Sequence, residues 1–226
     1  MISLRRIQAI FVKDWKDLLK NSYMLFTVVF PLLFAAWIGR MEAASEFARL
    51  LPINLALVLV GAFLQAAIIA EEKEKNTLRG LLLSPVKPLE IFIGKSLLSA
   101  FLTIAVVIGS ILISDFQMPS SILLFAVAVL LNMMIYINIG TILGLLSRTV
   151  METSIIGVPI LMIFGYGALL KELIDNDFLA MIFDYLPNEK FTLLASLSLK
   201  ALNSARQQTT FLSCCYGSLP LCCLLY

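Results

Sequence analysis

Side chains able to do ionic or acid–base chemistry are concentrated in one stretch, Ala70 to Ser96, AEEKEKNTLRGLLLSPVKPLEIFIGKS. It holds Lys73, Lys75, Arg79, Lys87 and Lys95 together with Glu71, Glu72, Glu74 and Glu90, between long apolar segments. The chain has no histidine. That removes His-based triads and His-ligated metal sites and leaves few groups that titrate near neutral pH. Gly94-Lys95-Ser96 is the ending of a phosphate loop, but that motif needs a glycine five positions before Gly94, where Leu89 stands, and no strand leads into it. Neither a nucleotide site nor a catalytic residue is therefore expected in this chain. Cys214, Cys215, Cys222 and Cys223 form two adjacent pairs in the last apolar run. With no histidine or carboxylate beside them, they are expected as packed or lipid-facing cysteines rather than metal ligands.

The charged stretch reads as a helix–break–helix elbow. Glu71 and Lys75 are an i,i+4 pair in the favoured order. Leu78, Leu81 and Leu82 fall on one face of the continuing helix. Ser84-Pro85 is expected to break it, because the residue before proline is pushed out of the α region, and Pro88 can open the next helix. An element charged on one side and apolar on the other suits a lipid–water boundary where a second protein docks.

The surrounding elements are membrane spans. Hydrophobic residues make up 60% and charged residues 14%, against about 25% charged in soluble domains, and mean hydropathy is +0.95. The net charge of +2 gives no global basic field for nucleic acid. Met1 to Asn21 lacks the plan of a cleavable signal. Its Arg5, Arg6, Lys13, Lys16 and Lys20 are interleaved with apolar residues, of which positions 7, 11, 15 and 18 share a helical face. It is read as an interfacial amphipathic helix with Trp15 at headgroup level; an ordinary basic flank is the other reading. Spans are expected at 23–39, 52–70, 96–114, 120–146 and 154–170, then a polar segment over 171–208 and a weaker sixth span over 209–226. Short cytoplasmic segments attract Lys and Arg. With the N-terminus inside, eleven such residues (the N-terminal five, the elbow five and Arg148) face two outside, Arg40 and Arg49. The fold class is thus all-α, a polytopic protein of the cell membrane. It is a single transmembrane domain over 1–226, with an interfacial helix (1–21), a cytoplasmic elbow (71–95) and an extracytoplasmic segment (171–208).

Within the fourth span, Asn132, Tyr136, Gly140 and Gly144 recur at four-residue steps and form one stripe. Ala62, Ala66 and Ala70 have the same spacing in the second span, with Gln65 beside them. Small residues let helices approach closely, so the stripe reads as a packing seam or a pore-facing polar track, with a chance pattern as the alternative. No acidic or basic residue lies deep in the first five spans, which argues against ion-coupled transport.

The elbow resembles that of the type-2 permeases of ABC transporters. Glu72-Lys73-Glu74, Thr77-Leu78, Leu81-Leu82, Ser84-Pro85-Val86, Glu90 and Gly94-Lys95 follow that family's pattern, as does the layout of spans. Arg79 stands where the family often has an acidic residue, and the chain ends at Tyr226 without the family's basic flank. The resemblance implies a permease subunit of an exporter for a drug, peptide, lipid or glycan. A separate ATPase, which alone binds ATP and magnesium, would dock on the elbow through Glu72, Glu74, Thr77, Leu78, Leu81, Leu82 and Pro85. It also implies a second permease copy or a homologous one, as a homo- or heterodimer in the lipid bilayer. The alternative function on the same scaffold is a non-transporting sensor or immunity module.

Overall fold

The computed structural model of the chain describes residues 3–42, 45–77, 80, 87–116, 118, 122–173 and 190–192. Every element of regular structure among them is helical: α1 (Leu4–Lys20), α2 (Ser22–Gly39), α3 (Glu46–Ala56), a π-helical segment (Leu57–Phe63), α4 (Leu64–Glu74), α5 (Pro88–Ile113), α6 (Ile122–Leu146) and α7 (Val150–Leu173). Among the described residues, four stretches are long and apolar enough to cross a membrane: Ser22–Gly39, Phe47–Glu74, Pro88–Ile113 and Ile122–Leu146. Val150–Ile163 is a shorter apolar helix. The sixth expected span, 209–226, and most of the 171–208 segment lie outside the described residues.

The second span is the axis of the bundle. Some 94% of its apolar window is buried inside the protein, against 28%, 44% and 39% for the other three. It starts earlier than its sequence suggests. Ser45 caps α3 by accepting from Ala48 N, so the helix begins six residues before Pro52, which sits inside it. From Leu57 the backbone widens into π geometry, and Leu64 N–H donates to Leu59 O before α-helical spacing resumes. The span carries cations near both ends. At the far end, Arg49 donates to the carbonyls of Ser114 (3.2 Å) and Asp115 (2.6 Å) and so caps α5. At the elbow end, Lys73 donates to the carbonyls of Leu145 (2.5 Å) and Ser147 and so caps α6. Both contacts satisfy orphan carbonyls and oppose the negative pole of a helix.

A buried polar cluster holds the axis to two neighbours. Gln65 is fully buried. Its Nε2 donates to Thr141 Oγ1 of α6 (3.1 Å), and its Oε1 accepts from Ser99 Oγ of α5 (2.6 Å). Interhelical hydrogen bonds of this kind contribute about 0.6–2 kcal/mol each in membranes.

Two expectations about helix limits change. The elbow helix does not run uninterrupted to Leu82. It ends at Glu74, Lys75 caps it, and Asn76 adopts φ 55°; the break expected at Ser84-Pro85 lies outside the described residues. Asparagine is among the few residues that take this left-handed conformation readily, so it stops the helix as a glycine would. The helix of the third span opens at Pro88, as expected, and runs without a break into the apolar stretch expected from Ser96, so the membrane-length helix is eight residues longer at this end. Glu90 turns back to accept from Lys87 N (3.0 Å) and stabilises its first turn.

Candidate functional site

Where α1, α4, α5, α6 and α7 meet, the run Glu71-Glu72-Lys73-Glu74-Lys75 is distributed among them residue by residue. Glu71 pairs with Lys75, as the i,i+4 spacing predicts. Glu72 turns inward and is 5% exposed. Its Oε1 accepts from Lys13 Nζ, and its Oε2 lies 2.9 Å from Lys95 Nζ. Lys73 caps α6. Glu74 Oε2 accepts from Val150 N (3.1 Å) at the start of α7. That start is also held by Thr149 Oγ1, which accepts from Glu152 N (3.1 Å), and by Glu152, which accepts from Arg148 N (2.7 Å).

The innermost part is a four-charge knot. Lys95 Nζ donates to Asp14 Oδ2 at 3.1 Å and faces Glu72, while Lys13 bridges Glu72 and Asp14 from the half-exposed side. Lys95 is 2% and Asp14 3% exposed. Two cations and two carboxylates leave the knot formally neutral, the condition under which buried charge is tolerated. Burial opposes both α1 charges. At Lys13 the hydrogen bond it donates to Glu72 and the charge of that carboxylate outweigh burial, and the ammonium ends above its ordinary range. At Asp14 burial prevails over the attraction of Lys95, and the carboxyl is held above its ordinary range. A second tie lies one turn away. Buried Glu90 accepts from Ser3 N (2.7 Å) and pairs with Arg6 (3.4 Å), so α1 is fixed to the start of α5 at both places.

These contacts correct the face assigned to α1. Its buried residues are Ile7, Ile10, Asp14 and Leu18, not 7, 11, 15 and 18. Phe11 and Trp15 lie on the flank and both make edge contacts with Phe101 of α5. Gly94-Lys95-Ser96 lies within a continuous helix. A Cβ at Gly94 would stand 2.9 Å from Ile10 Cγ2, so this glycine is where α1 presses against α5. The sequence carried one signal for the knot: Asp14 falls on the apolar face of α1, where a carboxylate requires a buried partner.

Of the residues assigned to docking, Thr77 and Glu74 are exposed, Glu72 is occupied internally, and Leu78, Leu81, Leu82 and Pro85 lie outside the described residues. The α6 stripe is buried along its length. Tyr136 lies against Gly61 of the π segment, and Gly140 and Gly144 lie against the backbone of Ala62 and Ala66. Asn132 Nδ2 donates to Ala128 O (3.2 Å) within its own helix.

No curated protein and no solved structure matches the chain. The family described as ABC-2 family transporter protein matches residues 40–195, a range that takes in the whole axis, the elbow and α5 to α7. Among the described residues, an all-helical bundle with four membrane-length apolar stretches agrees with that match. The chain therefore belongs to the ABC-2 transporter family and is a multi-pass membrane permease of an ABC transporter.

Proposed function

We propose that this chain is the membrane subunit of an ATP-driven exporter, and that force enters it at the charged end of the bundle. The observation that carries this reading is the distribution of Glu71 to Lys75. One short run at the end of the most buried helix is fastened to α1, α5, α6 and α7. A push on the elbow that follows would reach all four at once. The chain has no nucleotide site of its own in this reading. A separate ATPase subunit holds ATP and magnesium and docks on the elbow, the chain works beside a second permease subunit, and the cargo is a drug, peptide, lipid or glycan. Glu72 then acts by holding the elbow's base, while Thr77, Leu78, Leu81, Leu82 and Pro85 supply the contact surface.

The test avoids Glu74, whose loss would also uncap α7. In Leu78→Asp/Leu81→Asp, the chain should insert at normal abundance and lose most of its ATPase subunit on detergent co-purification. Charging a buried interface centre costs about 2 kcal/mol or more, roughly 30-fold in affinity. Undiminished co-purification with the ATPase would place docking elsewhere.

The cytoplasmic placement of the N-terminus has its own test. In a chain whose four cysteines are replaced by serine, Glu42→Cys should be labelled by an impermeant thiol reagent on intact cells and Lys87→Cys should be shielded. Both positions are exposed and at opposite ends of the bundle. The reverse pattern would invert the topology and remove the elbow from the ATPase side.

A further inference from the structure

The outer surface of α1 has three distinct edges, because 3.6 residues per turn spread its side chains around the axis. Ile7, Ile10, Asp14 and Leu18 face the bundle. One flank is apolar: Leu4 is 81% and Leu19 53% exposed, and Trp15 on the same side touches Phe101 of α5. Phe101 belongs to an exposed apolar face of α5 that continues through Leu97, Ile104 and Ile108. On a membrane span, such a face is covered by lipid chains. The apolar flank of α1 therefore continues the lipid-covered surface of the bundle and sets the depth of the helix at the membrane boundary. The opposite flank is polar and carries Arg6, Lys13 and Asp17.

Between the flanks, pointing away from the bundle, run Arg5, Lys16 and Lys20. None of the three has a hydrogen-bond or ion-pair partner among the described residues. The nearby carboxylate, Asp17, lies 3.8 Å from Lys13 instead. We propose that Arg5, Lys16 and Lys20 form a binding edge for the headgroups of anionic phospholipids at the lipid boundary of α1. The charges complement a lipid phosphate. Their depth is fixed by the adjoining apolar flank, and they lie on the side of α1 opposite its buried face. A basic side chain near an anionic membrane surface is attracted to it, and the effect decays within a Debye length. Three together predict a clear preference for anionic lipid that salt weakens.

Trp15 reports on the edge directly. The full chain carrying Trp37→Phe keeps Trp15 as its one tryptophan and is reconstituted into phosphatidylcholine vesicles. Tryptophan fluorescence is then quenched with increasing fractions of brominated phosphatidylglycerol or of brominated phosphatidylcholine. The expected result is half-maximal quenching at about a tenfold lower fraction of the anionic lipid, falling to less than threefold in 0.5 M salt. In Arg5→Gln/Lys16→Gln/Lys20→Gln the preference should disappear with thermal stability unchanged. Lys16→Gln alone should reduce it in part, which keeps the test decisive if the triple variant folds poorly. Arg40→Gln, at the far end, should leave it intact. Equal quenching by both lipids, or an undiminished preference in the Lys16→Gln and triple variants, would overturn the proposal. So would a triple variant that keeps its lipid preference and loses ATPase co-purification, which would make this edge a protein contact.

Discussion

Gly140→Ala is expected to destabilise the bundle by about 2 kcal/mol and to lower its thermal midpoint in detergent by several degrees. A Cβ at this position would stand 2.1 Å from the Ala62 carbonyl oxygen and 2.8 Å from Ala62 Cα. Both are backbone atoms, so no side chain can swing aside and α6 must move off the axis. Overpacking costs typically about 1–3 kcal/mol, and an obstruction by backbone belongs at the upper end. Alanine recovers up to about 1 kcal/mol through its higher helix propensity, which leaves a net loss. Gly144→Ala should follow in the same direction, its Cβ meeting Ala66 O at 2.7 Å. Gly157→Ala is the internal control. Its nearest neighbour is a ring carbon of Phe63 at 3.8 Å, an ordinary contact, so its effect should stay within about 0.5 kcal/mol of zero or be stabilising. Equal midpoints for the Gly140 and Gly157 variants would show that α6 does not rest on the axis there.

Lys95→Met should cost about 3–5 kcal/mol, the range for removing one partner of a buried ion pair. Methionine fills the space but leaves Asp14 and Glu72 facing each other with only half-exposed Lys13 to share. The second variant decides the cause. Lys95→Met/Asp14→Leu restores the balance of one cation to one carboxylate and should regain at least half of the loss. Neighbours in one network couple by about 0.5–3 kcal/mol, so the recovery is measurable by thermal unfolding or by membrane-fraction abundance. Strict additivity of the two substitutions would mean that the charges are solvated and that the knot does not hold α1.

The legible parts of this protein were those set by local chemistry. The apolar runs announce membrane-length helices because a bilayer demands about 20 apolar residues. Pro88 marks the start of α5 because its ring fits a first turn. The Glu71–Lys75 pair follows from spacing alone. What could not be read were the tertiary choices. Glu72, Glu90 and Lys95 look like a water-facing charge run, and only the approach of α1 explains why they are buried. Asp14 was visible on the wrong face of its helix, yet nothing in the sequence named Lys95, eighty-one residues away, as its partner. Asn76 interrupts a helix that propensity would carry straight through, because its left-handed backbone breaks the run between Glu74 and Thr77. The Gly140–Ala62 approach depends on which helix lies opposite, and that is decided by the bundle as a whole.

The π segment at Leu57–Phe63 bears on how this protein can be measured. A π turn takes more residues than an α turn, so the two halves of the second span do not share a common angular phase. Accessibility, cross-linking or cysteine-scanning patterns read from Leu50 and Ile53 and extrapolated by 3.6 residues per turn will assign the wrong face to Gln65 and everything beyond it. Glu46–Ala56 and Leu64–Glu74 have to be indexed as separate rods, each with its own origin. A change in the offset between their two periodicities, from one nucleotide state of the transporter to another, would be a direct optical or chemical readout of twist along its axis.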